Sequence, residues 1–164
     1  MGLPRRLPLL LPALAGALLL AASPPAARAG EEGEAQEVVE HEGRCTKALV
    51  RGDDWTARCA PMAIRARYPD GHQTFLFFIE GAAELSFHVF KEYRKEPGLH
   101  VLLVDRLRLK RVSHVAPGFC MATGAFTHPA RLAFDRPVTI RCRAGTPAEG
   151  DLADVTFQLQ PPRR

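Results

Sequence analysis

Asparagine is absent from this 164-residue chain, and lysine occurs 4 times against 18 arginines. Without asparagine no N-glycosylation acceptor exists. The Arg-, Ala-, Gly- and Pro-rich usage reads as the coding bias of a high-GC genome and points to a bacterial source. Catalytic signatures are also missing. There is no GxSxG, no HExxH and no glycine loop of the kind that cradles phosphate. The carboxylate pairs, Asp53-Asp54 and Glu149 with Asp151, fall in turn-like stretches where such residues serve backbone conformation. Ser86 and Ser113 lie near His88 and His114 in sequence, and strand spacing is not expected to aim them at each other. No catalytic residue and no cofactor are assigned.

Cysteine is scarce, with four residues: Cys45, Cys59, Cys120 and Cys142. No CxxC spacing occurs, so a zinc site is not expected. An even count in an exported chain reads as two disulfides, with three possible pairings. Cys45–Cys59 and Cys120–Cys142 are favoured because they close short loops, each contributing on the order of 3 kcal/mol. His72, His88, His100, His114 and His128 show neither i,i+2 nor i,i+4 spacing. A copper site would require His88 and His100 to converge with Met62 and Met121. No metal ligand is therefore assigned.

What is present begins with a leader. Arg5 and Arg6 precede an apolar stretch from Leu7 to Ala22, and Ala27-Arg28-Ala29 offers a cleavage site before Gly30. Residues 1–29 are read as a signal peptide and the address as periplasmic or secreted. Nothing later in the sequence is apolar enough to span a membrane. Residues 30–43 hold six Glu and no Lys or Arg, and are read as an acidic, disordered arm. Beyond them come 19 basic and 12 acidic residues, a net of +7. Residues 44–160 are taken as one domain and 161–164 as a frayed tail.

The domain reads as strands throughout. Met62, Ile64, Ala66 and Tyr68 alternate with Ala63, Arg65 and Arg67. Pro69-Asp70-Gly71 is a turn. Phe75, Phe77 and Ile79 continue on a second strand, and Leu85, Phe87 and Val89 on a third, giving a meander from Met62 to Phe90. Lys47–Arg51 is a first strand and Tyr93–Gly98 a charged loop. His100–Val112 is a long strand or a bent pair, with a bulge near Asp105. Further strands are placed at Phe119–Ala122, Arg131–Asp135, Val138–Arg143 and Val155–Leu159. With no amphipathic helix, the expectation is an all-β antiparallel sandwich or small barrel of about eight or nine short strands. An immunoglobulin domain is disfavoured, since Trp55 precedes Cys59 and Gly118 stands where a corner tyrosine belongs.

The pattern Gly43-Arg44-Cys45, Trp55, Arg58-Cys59-Ala60-Pro61, Tyr68-Pro69-Asp70-Gly71, Phe75 and Phe77 forms the front of the domain. With Phe119-Cys120 and Arg136-Pro137-Val138-Thr139-Ile140-Arg141-Cys142 at the back, it resembles small secreted two-disulfide proteins of alphaproteobacteria that carry no assigned activity. Gly71-His72 departs from the Gly-Arg usual there. The resemblance implies a periplasmic two-disulfide β domain and says nothing about a ligand.

The functional signal is the basic run. Arg106, Arg108 and Lys110 would project in one row about 7 Å apart, with Arg111 beside them. Such a row suits an anionic polymer or an acidic protein surface; no nucleic-acid partner is expected. The leading expectation is an exported, non-enzymatic binding module. One alternative is a small hydrolase inhibitor inserting Thr123–Pro129 or Tyr93–Gly98. The other is a periplasmic enzyme or metal protein.

Overall fold

A computed structural model describes residues 33–80, 83–96, 98–124, 126–128, 133–134 and 136–161. The signal-peptide reading of 1–29 and the end of the tail lie outside these residues. The strands are β1 (Glu37–Val50), β2 (Asp53–Asp54), β3 (Cys59–Arg67), β4 (Gln73–Ile79), β5 (Ala83–Glu96) and β6 (Leu99–Leu109). They continue with β7 (Val112–Thr123), β8 (Phe126–His128), β9 (Ala133–Phe134), β10 (Val138–Thr146) and β11 (Gly150–Leu159). Eight of them form a continuous antiparallel order, β1-β3-β4-β5-β6-β7-β10-β11, and β11 pairs back onto β1. The result is a closed eight-stranded barrel, with β2 added at one end of β1 and β8–β9 as a separate hairpin. Among the described residues no helix is long and apolar enough to cross a membrane.

Each strand sends alternate side chains inward, as the pleat requires. Phe75, Phe77, Leu85, Phe87, Leu102, Leu107, Val155 and Phe157 fill the middle of the barrel. The ring of Phe77 meets Phe87 edge to face at 6.0 Å and lies 5.8 Å from Phe157. Two glycines allow the walls to close. A Cβ on Gly43 would sit 2.2 Å from the Gln158 carbonyl oxygen, and one on Gly118 2.0 Å from that of Arg143. The disulfides join Cys45 to Cys59 and Cys120 to Cys142. The second pair lies wholly in the core, its members facing each other across β7 and β10.

The meander from Met62 to Phe90 is present, its first turn closed by Gly71 at φ 87° and by a Tyr68–Gly71 hydrogen bond. Its first strand does not bury its more apolar set. Ala63 and Arg65 point inward and are buried, while Met62, Ile64 and Ala66 sit half-buried on the outer wall. Alternation fixes the period and leaves the sign open. Here a long cation is inside because carboxylates are waiting for it.

Three boundaries also change. The expected disordered arm is strand from Glu37 onward, because β1 is 14 residues long and pairs with β3 through Glu42. Of its acidic residues, Glu37, Glu40 and Glu42 lie in that strand and pair through their backbone with β3. Tyr93–Glu96 continues β5, so the loop expected there is strand. Phe119–Ala122 is the end of the longer β7. The bulge near Asp105 is present, as a register shift between Val104 and Arg106.

Candidate functional site

β6 carries Arg106 and Arg108 on the outer wall, because the bulge at Asp105 leaves Val104 and Leu107 inward on either side of it. Cross-strand pairing builds two rows there. Thr74, His88, Arg106 and Val115 form one; Leu76, Ser86, Arg108 and Ser113 form the next. His88 Nδ1 is 3.4 Å from Thr74 Oγ1, and its Nε2 is 3.4 Å from Ser86 Oγ. Ser86 and His88 therefore do touch, contrary to the sequence reading, since residues two apart on a strand share a face. Ser86 and Thr74 are buried under their neighbours, so the patch that carries Arg106 and Arg108 has a polar floor.

Lys110 leaves the row. It sits in the two-residue β6–β7 turn at φ 58°, with its amide donating to the Glu84 carbonyl. Arg111 follows it in the same turn and is exposed. The expected row of three is thus a wall pair, Arg106 and Arg108, plus a turn pair, Lys110 and Arg111. His88 and His100, whose convergence a copper site would require, are separated by the wall itself: His88 is on its outer side and His100 is buried inside. Among the described residues no group of three or more His, Cys, Asp or Glu is placed to hold a metal ion.

The other basic residues whose contacts are described have partners. Asp154 is buried on the outer side of β11 and receives Lys47 Nζ at 2.6 Å and both Arg141 Nε at 3.2 Å and Nη2 at 2.9 Å. Burial would raise its pKa, but the hydrogen bonds from Arg141 and Lys47 hold it below the usual carboxylate range. Arg143 pairs with Asp151 next along the wall. Lys47 and Arg141 are 39% and 40% exposed, so solvent screens much of the attraction. Asp154→Asn should lower the unfolding free energy by only about 1 kcal/mol, measurable by urea denaturation.

One end of the barrel interior is polar, which the sequence did not reveal. Arg65 is 2% exposed and donates from Nη2 to Glu37 Oε2 at 3.2 Å. Gln73 Nε2 donates to Glu92 Oε2 at 3.1 Å, and His100 Nδ1 is 2.8 Å from Glu92 Oε1. Burial pulls the Arg65 pKa down, and Glu37 and Glu92 oppose that. His41 is buried in the same end; burial first, and then the Arg65 charge, lower its pKa to about 4. Glu92 enters the barrel because β5 bulges between Val89 and Lys91. Strict alternation from Leu85 would have turned Lys91 inward instead.

Of the loops considered for insertion into a hydrolase, Thr123–Pro129 lies partly outside the described residues. Tyr93–Glu96 is strand, as given above. No protein-family model matches the chain, and no curated protein or solved structure is significantly similar to it.

Proposed function

We propose that this is an exported, non-enzymatic barrel that binds an anionic partner, either an anionic polymer or an acidic protein surface. Arg106 and Arg108 form the centre of the contact and Lys110 and Arg111 its edge. The observation that carries this reading is a contrast in charge pairing. Lys47, Arg65, Arg141 and Arg143 each hold a carboxylate, whereas Arg106 and Arg108 have no ion pair among the described residues. Guanidiniums fixed on a rigid wall beside serine, threonine and histidine suit sulfate, phosphate or carboxylate groups. The leader-like residues 1–29 and two disulfides support a periplasmic or secreted address.

The test is retention on immobilised heparin across a salt gradient. The unaltered protein should be retained at low salt and released steeply as salt rises. Arg106→Ala/Arg108→Ala should elute at clearly lower salt, while Arg141→Ala, which removes a partnered cation, should shift elution little. Retention that ignores salt, or an equal shift in both variants, would sink the reading.

A further inference from the structure

A cavity of about 350 Å³ opens at the barrel end opposite Arg65, where β1 finishes and β6 turns into β7. Its walls are Val50, Trp55, Ile79, Leu85, Leu109 and Val112. Trp55 is held over this end by its surroundings. Its amide donates to the Ala48 carbonyl at 2.8 Å, and the Arg58 guanidinium lies 5.1 Å from the ring centroid. The adjoining Thr56 hydroxyl accepts the Ala48 amide at 2.9 Å, and Cys59 ties the segment to Cys45. The flap is therefore fastened on both sides before any ligand arrives.

The rim is electrically balanced. Arg51 and Lys110 stand against Asp53 and Glu84, with His114 as a further polar group. Val112 is 58% exposed beside the opening, an apolar side chain left in water. The volume corresponds to about twelve waters at the roughly 30 Å³ each occupies in the liquid, near the lower bound of small-molecule sites.

We infer that this mouth binds one small molecule with an aliphatic chain of about eight to ten carbons and an uncharged polar head. The chain lies against Leu85, Leu109 and the indole, and the head meets the mixed charges at the rim. A charged head gains no net attraction from two cations and two anions, and loses hydration on entering. This site is separate from the Arg106–Arg108 wall and does not depend on it.

Trp55 is the single tryptophan, so its fluorescence reports on the cavity directly. Titration with 1-octanol should give a saturable change in emission, and octanoate should bind at least tenfold more weakly. Leu109→Phe fills the cavity and should weaken octanol binding at least tenfold with the circular dichroism unchanged. Val112→Phe, at an exposed position, tests the same point should Leu109→Phe fail to fold, and Arg106→Ala should leave binding intact. No saturable response up to the solubility of octanol, or unaltered affinity in both filled variants, would overturn the site. Octanoate binding as tightly as octanol would overturn the assignment of an uncharged head.

Discussion

Replacing Arg65 with alanine should lower the unfolding free energy by about 3–5 kcal/mol, the range for removing one member of a buried ion pair. Arg65 is 2% exposed and faces Glu37 and, electrostatically, Glu92. Deletion takes the guanidinium away from Glu37, its ion-pair partner, and opens a void where the side chain lay. The two contributions separate with Arg65→Met, which keeps most of the volume and removes the charge. Arg65→Met should remain destabilised, and adding Glu37→Gln should recover part of the loss, because the partner of the removed cation is then neutral too. Urea denaturation at pH 7 measures all four proteins. A loss below about 1 kcal/mol for Arg65→Ala would show that the cluster is not held by compensated charge.

Acidification should destabilise the barrel in a defined window. Burial, and then the Arg65 charge, hold the His41 pKa at about 4 in the folded protein, against an ordinary 6.5. The folded state thus prefers neutral histidine, and between pH 6.5 and 4 the unfolded chain binds the extra proton. Stability from this group is fully present above pH 6.5, falls as pH drops toward 4, and is gone below it. The size is about 3 kcal/mol at 1.36 kcal/mol per pKa unit. Asp154, whose pKa is lowered, adds its loss at more acid pH. Unfolding free energies at pH 7.5, 5.5 and 4.0 should trace the decline, and His41→Gln should flatten it. Arg65→Met should flatten it in part, since the Arg65 charge is the second cause of the shift. A wild-type curve level from pH 7.5 to 4 would contradict the desolvated state of His41.

The strand pattern was readable because the period is local. Phe75, Phe77 and Ile79 against Thr74, Leu76 and Phe78 defined β4 without reference to any other strand. The turn at Pro69-Asp70-Gly71 was readable for the same reason: Asp70 accepts the His72 amide at 3.0 Å, a bond made within three residues. Closure into a barrel was not readable, since it depends on β1 meeting β11 across the whole chain. The facing of β3 was not readable, because Arg65, which hydrophobicity alone would place outside, is held inside by a counter-ion from β1. The polar interior escaped for a related reason. Glu37, Gln73, Glu92 and His100 come from four strands, and Glu92 points inward only because of a bulge that no residue type announces. Of the basic run, Arg106 and Arg108 fell where alternation put them. Lys110 did not, because the strand ends at Leu109 and a tight turn takes it to positive φ.

The seam between β1 and β11 joins residues far apart in the chain: Arg44 Nε bonds Gln158 Oε1 across 114 positions. Such distant pairing makes folding slow, on the millisecond-to-second scale of β-rich domains. Until β11 docks, β1 presents one open edge and the unfinished sheet presents another, both able to recruit foreign strands. Neither disulfide crosses this seam. Cys45–Cys59 fastens β1 to β3, and Cys120–Cys142 fastens β7 to β10. Oxidation can therefore fasten β1 to β3 and β7 to β10 while the sheet is still open. Closure of the barrel between β1 and β11 therefore rests on non-covalent pairing alone.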